Sequence, residues 1–140
     1  MIVLDTNVVS ELMRKAPNPA VETWAWGYAA EDLFFSAIGE AELRYGAAIA
    51  PPGRRRDTLL SEIEATLLEA FGNRVLPFDS GAARAYAEIV ASRRAAGRPV
   101  SQSDSQIAAI ARSRGMAVAT RNVRDFEGAG VAVVDPWGGA

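Results

Sequence analysis

The sequence predicts a three-layer α/β/α fold with a central, mainly parallel sheet, and three observations support this prediction. Short apolar runs rich in β-branched residues recur along the chain, and each has the length of a buried strand. Segments with the periodicity of amphipathic helices separate these runs, so that strands and helices alternate. The 140 residues are enough for one domain with a substantial core. Alternating strands and helices of this kind form a parallel sheet that is covered on both faces.

The composition excludes several kinds of chemistry. Cysteine and histidine are both absent, which excludes disulfides, thiolate nucleophiles, zinc sites with sulfur or imidazole ligands, and a histidine general base. Any bound metal must therefore have oxygen ligands, which favours Mg²⁺ or Mn²⁺. No apolar run is long enough to span a bilayer, and no signal peptide is recognisable, so we expect a cytoplasmic protein without membrane contacts.

The first seven residues contain the first candidate site. Residues 1–4 are typical of a short buried strand, and Asp5, Thr6 and Asn7 follow it directly. Ligands of open α/β sheets bind beyond the carboxyl ends of the strands, so Asp5 lies where such folds place their chemistry. The structural alternative is that Asp5 and Asn7 only turn the chain and cap the next helix.

The remaining elements follow in order along the chain. We expect helices over residues 8–13, from Pro19 onward, over 37–50, 57–71 and 82–96, and between Ser101 and Gly115. Further strands are predicted over residues 33–35, 75–78, 116–119 and 131–134, and the proline in the second of these suggests an edge strand. Expected helix caps are Asn18, Ser36, Asp79 and Ser101. The closing segment, 135–137, is expected to pack back onto the body of the protein.

The helix predicted over residues 37–50 carries two glutamates. At 3.6 residues per turn Glu42 shares one stripe with apolar residues, whereas Glu40 points the other way into solvent. The stripe consists of Ile38, Ala41, Glu42, Tyr45 and Ile49. A carboxylate on a buried stripe must be paired, hydrogen-bonded or bound to a metal. Alternatively, Glu42 lies at the edge of the stripe and pairs with an arginine.

More polar side chains are expected at the same edge of the sheet as Asp5. Asp104 has the spacing of a capping box with Ser101, which gives it a structural role, but it also begins the apolar stripe of its helix. Residues 120–122 stand at the carboxyl end of the strand predicted over 116–119, and Asp125 follows three residues later. Each acid has a structural explanation alone, but their convergence at one edge indicates a functional site.

Four short stretches, taken in order, resemble the motifs of one known family. They are Leu4-Asp5-Thr6-Asn7-Val8, Ser36-Ala37-Ile38 with residues 40–46, Asp104 with Ile107-Ala108-Ala109, and Ala119-Thr120-Arg121-Asn122 followed by Asp125-Phe126. Together they resemble the PIN-domain ribonucleases, and in particular the VapC/FitB toxins of bacterial toxin–antitoxin pairs. The resemblance extends over essentially the whole chain, 1–140, as a single domain.

The resemblance implies an RNA-cleaving enzyme that binds Mg²⁺ or Mn²⁺ through a cluster of acids. It assigns Asp5, Glu42 and Asp104 to the metal and to catalysis. The fourth acid falls at Asn122, where relatives can carry aspartate, and Asp125 is the nearest carboxylate. Thr6 and Thr120 resemble the hydroxyl residues that orient the acids or water, and Asn7 belongs to the first motif. The resemblance also implies a homodimer and a cognate antitoxin protein that masks the acidic groove.

The acids at this edge of the sheet are also chemically suited to hold a cation that promotes phosphodiester hydrolysis. Arg121 or Arg124 would be suited to contact RNA phosphate. Because Asn122 is neutral, the alternative is a catalytically degenerate PIN module that binds RNA or a protein without cleavage. Two other metal-dependent classes have less support. A haloacid-type phosphatase needs an aspartate where Asn7 stands, and a receiver domain needs a lysine on a late strand, whereas Lys15 is the only lysine.

Overall fold

A computed structural model of the chain describes residues 1–138 and contains a five-stranded parallel sheet. The strands are β1 (Ile2–Leu4), β2 (Leu33–Ser36), β3 (Val75–Leu76), β4 (Ala117–Ala119) and β5 (Val133–Val134), in the order β3-β2-β1-β4-β5. Strands β2 and β3 lie on one side of β1, and the later strands β4 and β5 lie on the other side. The carboxyl ends of β1 and β4 therefore flank the point where the strand order reverses, where open α/β sheets bind their ligands.

Helices cover both faces of the sheet, which confirms the predicted three layers. They are α1 (Thr6–Leu12), α2 (Pro19–Trp26), α3 (Ala37–Ala48), α4 (Arg54–Ala65), α5 (Ser80–Ala95), α6 (Gln102–Ser113) and the short α7 (Val123–Phe126). Residues of α5, α6 and α7 form one core with Val3 and Val118, and residues of α1 to α4 form the other with Ile2 and Leu4. The side chains of alternate β1 residues thus pack into opposite cores, because successive side chains of a strand point to opposite faces. Within residues 1–138, no helix is long and apolar enough to cross a membrane.

All four predicted helix caps are confirmed. The side chains of Asn18, Ser36, Asp79 and Ser101 each accept a hydrogen bond from a backbone N–H in the first turn of the following helix, at 2.9 to 3.2 Å. Several element boundaries differ from prediction. The first helix begins at Thr6 because Asp5 accepts a hydrogen bond from the Thr6 N–H, and α4 begins at Arg54 and continues in a π-helical turn, Thr66–Phe71.

The predicted buried stripe of α3 is wrong except at Ile38, which packs against the core. Tyr45 and Ile49 are 66% and 64% exposed, and Glu42 is exposed as well, whereas Gly39 and Ala47 are the buried residues of the helix. The helix packs through these small residues because the ring of Phe35 lies directly beneath Gly39. A methyl group added at Gly39 would lie 2.6 Å from Phe35 Cζ. Tyr45 therefore faces outward on α3, Ile38 and Leu43 are partly buried, and the closest contact with the sheet is made by Gly39, which the hydrophobic pattern does not select.

Candidate active site

Asp5 lies at the carboxyl end of the central strand and is held in place by three donors. The residue is only 4% exposed. Oδ1 accepts a hydrogen bond from the Thr6 backbone N–H at 2.8 Å. Oδ2 accepts one from the Thr120 hydroxyl at 2.7 Å and a longer one from Asn7 Nδ2 at 3.3 Å. The backbone N–H of Asp5 donates to the Ala119 carbonyl at 2.8 Å. The end of β1 is thereby fixed to the end of β4.

The environment of Asp5 raises the pKa of its carboxyl to about 6. Burial is the largest cause, because it disfavours the ionised form. The hydrogen bonds from Thr120 and Thr6 lower the pKa, but they do not offset burial, and the negative charges of Asp104 and Glu42 raise it further. The charges of Asp104 and Glu42 thus both act on the Asp5 carboxyl.

These three acids line one open cleft with a volume of about 580 Å³. Glu42 projects from α3 toward the end of β1, where its Oε1 accepts a hydrogen bond from the Thr6 hydroxyl at 2.7 Å. It is not paired with arginine, since Arg44 contacts Glu40 instead, at 2.7 Å. Asp104 lies in the first turn of α6 and lines the cleft while the hydroxyl of Ser101 accepts a hydrogen bond from its backbone N–H. The Asp104 side chain is therefore available to the cleft, although its backbone takes part in a cap.

The pKa of Asp104 is also raised, first by burial and then by the charge of Asp125. The Ser101 side chain and the charge of Arg93 act in the opposite direction. A second carboxyl whose ionised form is disfavoured, half-buried in this case, thus faces the same cleft as Asp5. Perturbed carboxyl groups that share a cleft are typical of functional sites.

A network of hydrogen bonds orients the loop after β4. The hydroxyl of Thr120, which is fully buried, donates to Asp5 and accepts a hydrogen bond from the Asn122 N–H at 3.0 Å. Asn7 Oδ1 accepts a hydrogen bond from the Arg121 N–H at 3.3 Å. A hydroxyl has one proton, so its donation to Asp5 and its acceptance from Asn122 together fix its orientation. Thr120 thereby positions both the carboxylate and the loop.

The structure brings most of the predicted residues together, with two exceptions. Asp5, Thr6, Asn7, Glu42, Asp104, Arg121 and Asn122 line the cleft, and Thr120 lies behind Asp5. Asp125 and Arg124 instead line a neighbouring cavity. Asp125 is close enough to raise the pKa of Asp104, but it does not line the cleft with Asp5.

The cleft wall also contains residues that the motifs did not indicate: Ser10, Glu11, Arg14 and Trp137. Glu11 is buried, and its carboxylate accepts hydrogen bonds from Arg14 and from the Asn18 N–H. The Arg121 guanidinium lies 5.1 Å from the centroid of the Trp137 ring. Packing of the closing segment back onto the body is confirmed, and this segment forms part of the cleft wall.

The donor set of the cleft is suitable for a hard divalent cation, although it is incomplete by itself. Over residues 1–138 there is no group of three or more acidic side chains arranged to hold a metal ion unaided. Mg²⁺ does not require one, because it usually keeps several waters and binds one or two carboxylates. The carboxylates of the cleft raise the pKa of Asp5 by repulsion, and a cation would relieve that repulsion. Asp5, Glu42 and Asp104 are therefore the residues that would hold it.

The raised pKa of Asp5 makes stability depend on pH in the metal-free protein. The folded state holds this proton up to about pH 6, whereas the unfolded chain releases it near 3.8. The contribution of Asp5 to the free energy of unfolding should therefore fall as pH rises through this interval, by up to about 3 kcal/mol, and stay constant outside it. Asp5→Asn should remove this decrease. Chemical unfolding in the presence of a chelator, from pH 3.5 to 7.5, measures the difference between the two proteins. Parallel pH profiles would contradict the assignment.

The strand order and the acidic cleft together define the chain as a PIN domain. The model of the PIN domain family matches residues 2–130, and the chain belongs to this family. PIN-domain VapC ribonucleases are metal-dependent in general.

Three known proteins illustrate the similarity. The plasmid stability protein StbB of Pseudomonas syringae pv. tomato is 50% identical over 98% of this chain and 99% of its own. The VapC ribonuclease Y4jK of Sinorhizobium fredii is 44% identical over 98% of each chain. The crystal structure of FitAcB from Neisseria gonorrhoeae includes a chain that superimposes with a TM-score of 0.91 at 40% identity, and the match covers 99% of both chains.

Proposed function

We propose that this chain, as a single PIN domain over residues 1–140, is a metal-dependent endoribonuclease and the toxin component of a toxin–antitoxin pair. The observation that carries the proposal is the position of Asp5. It lies at the reversal point of the sheet, buried and held by three donors, with Glu42 and Asp104 in the same cleft. The relative named VapC ribonuclease, at 44% identity over nearly the whole chain, supports RNA as the substrate.

In this proposal Asp5, Glu42 and Asp104 hold Mg²⁺ or Mn²⁺. The bound cation supplies neutralisation of the phosphate charge, a lowered pKa for an attacking water and stabilisation of the leaving oxygen. Thr120 and Thr6 each direct a hydroxyl proton at one carboxylate oxygen, which orients the remaining lone pairs. Glu42 is exposed and has one oxygen without this hydrogen bond, so it is placed to accept a proton from water.

The basic side chains of the cleft have a separate role. Arg121 and Arg14 line it alongside the acids, and each presents a planar group of donors suited to phosphate. Arg14 also pairs with Glu11 at 3.2 Å. Arg121 lies over the ring of Trp137, so its guanidinium is held at the wall of the cleft. We assign Arg121 to contact with the RNA backbone.

We also propose a cognate antitoxin and a homodimer as the partners of this chain, because the similar structures include FitAB and VapBC complexes. The surface is consistent with protein partners: Trp26 of α2 is 77% exposed, and Tyr45 and Ile49 are exposed on and just beyond α3. Such aromatic and aliphatic groups are typical of protein interfaces.

The proposal is tested by Glu42→Gln in an assay with fluorescently labelled RNA and Mn²⁺. The variant keeps a group that can accept the Thr6 hydroxyl but loses the charge, so we expect cleavage to slow about 100-fold, equivalent to about 2.7 kcal/mol. Mn²⁺ at about 100 times its dissociation constant should stabilise the wild-type protein by about 2.7 kcal/mol. It should stabilise Asp104→Asn less.

Glu62→Gln is the matched control, since Glu62 is an exposed residue of α4 that does not line the cleft. It should cleave RNA like the wild-type protein. RNA binding without cleavage at any Mn²⁺ or Mg²⁺ concentration would favour the alternative of a degenerate PIN module, in which the neutral Asn122 and the displaced Asp125 leave the acid set incomplete.

A further inference from the structure

A cavity of about 440 Å³ beside the acidic cleft is lined by three arginines, Arg93, Arg98 and Arg124, together with Asp125 and residues 97–100. We call it the arginine pocket, and we propose that it binds a phosphate of the RNA backbone next to the bond that is cleaved. This inference rests on the proposed function, because it names a second contact for the same substrate. None of the motifs assigns a role to Arg93 or Arg98.

Arg93 is the strongest reason for the proposal. Its side chain belongs to α5 and the residue is only 6% exposed, yet within residues 1–138 it has no carboxylate within ion-pairing distance. Nη2 donates to the Glu127 carbonyl, which fixes the guanidinium while it lines the cavity. A buried guanidinium without a direct ion pair is costly, and Asp125 is the only carboxylate among the described residues that line the cavity. An anion in the arginine pocket would supply the direct partner.

The other two arginines are exposed and add to the positive charge. Arg98 is 3.8 Å from Glu127, which is a weak surface pair. Arg124 has no ion pair with any of the described residues. The lining includes one carboxylate, Asp125, against three guanidinium groups. A phosphodiester carries one negative charge and oxygen acceptors that match the guanidinium fork.

The position of the arginine pocket favours RNA over a free anion. Asn122 lines the acidic cleft and Arg124, two residues later, lines the arginine pocket, so one short segment joins the two. The carboxylates of the cleft repel a polyanion, and a cationic pocket next to them offsets that repulsion where the strand must pass.

The test measures RNA binding in an Asp5→Asn background, in which cleavage is expected to be too slow to consume the RNA during the measurement and in which the lining of the arginine pocket is unchanged. Fluorescence anisotropy with a short labelled single-stranded RNA compares Arg98→Gln, Arg124→Gln and the double variant with the parent. We expect the double variant to bind about tenfold more weakly, and each lost phosphate contact to reduce the salt slope by about 0.7. Arg94→Gln is the matched control, because Arg94 is an exposed neighbour on α5 that does not line the pocket.

Inorganic phosphate at constant ionic strength separates specific binding from general attraction. It should compete with RNA in the parent protein and have little effect on the residual binding of the double variant. Equal competition in both proteins would overturn the proposal, as would unchanged binding in the double variant or equal weakening by Arg94→Gln.

Cleavage assays in the protein that retains Asp5 distinguish this inference from the proposed function. If the wild-type protein cleaves RNA and the arginine variants keep full RNA affinity, only the proposal of the arginine pocket would be overturned. If the wild-type protein never cleaves RNA but the arginine variants still lose RNA affinity, the arginine pocket would be supported and the proposed nuclease function would be contradicted.

Discussion

Asp5→Asn is expected to slow metal-dependent RNA cleavage by about three orders of magnitude, equivalent to about 4 kcal/mol, while the protein remains folded. The substitution removes the buried charge that a cation would bind, but it keeps the size of the side chain. The amide oxygen of the variant can still accept the hydrogen bond from the Thr6 N–H, and the amide nitrogen can donate to the Thr120 hydroxyl in place of accepting from it. Single-turnover cleavage of labelled RNA at saturating Mn²⁺, together with circular dichroism, measures both effects.

Asp57→Asn provides the comparison for this prediction. Asp57 is an exposed aspartate in the first turn of α4, and it does not line the acidic cleft. It should cleave RNA at the wild-type rate. A folded Asp5→Asn protein with full activity would remove this cleft from consideration as the catalytic centre.

Gly39→Ala is expected to destabilise the protein by about 3 kcal/mol, because the added methyl group overlaps a fully buried ring. The new Cβ would lie 2.6 Å from Phe35 Cζ, and Phe35 cannot move freely because it stacks on Phe71 at a centroid distance of 5.4 Å. For a chain of this length the loss corresponds to a decrease of roughly 10 °C in the midpoint of thermal unfolding. Differential scanning calorimetry at low and high metal concentration gives this value directly.

The same helix supplies the control. Gly46 lies on α3 with nothing within 4 Å of an added Cβ, so Gly46→Ala should stabilise the protein by about 0.5 to 1 kcal/mol through helix propensity. A smaller side chain beneath Gly39 should relieve the clash. In the double variant Phe35→Leu with Gly39→Ala, the cost should be smaller than the sum of the single changes by about 1 kcal/mol. Strict additivity would show that the ring is not the obstacle.

Much of the fold could be predicted because local signals and burial agree. The caps Asn18, Ser36, Asp79 and Ser101 combine a short polar side chain with a following apolar period, and all four begin helices in the structure. The central strand is apolar at every position because both of its faces are buried. The prediction of a site at its carboxyl end then follows from the rule that parallel α/β sheets bind ligands there.

The face of α3 could not be predicted in the same way. A hydrophobic pattern selects the largest apolar residues, but the helix packs on the sheet through Gly39 and Ala47, whose small size permits a close approach. The sequence pattern predicts Glu42 at the site through a buried stripe, but Glu42 is exposed. It reaches the cleft from the exposed side of the helix, and its partner is a hydroxyl at the end of β1.

The sequence also does not show which residue occupies the position of the fourth acid. Asn122 and Asp125 are three residues apart, and only the structure of the loop and of α7 shows that the first lines the cleft and the second a separate cavity. Nothing in the sequence indicates that Arg93 is buried, because an arginine in the last turn of a helix is normally a solvated group that interacts with the helix dipole. Its burial results from tertiary packing alone.

The long separation in sequence between Asp5 and Thr120, 115 residues, has a consequence for synthesis on the ribosome. A nascent chain that has emerged as far as β3 contains the first acid, but it has neither the neighbouring strand nor the hydroxyl that fixes that acid. Parallel pairing over such a distance also forms late in folding. The acidic cleft is therefore assembled only after β4 has been synthesised and has paired with β1.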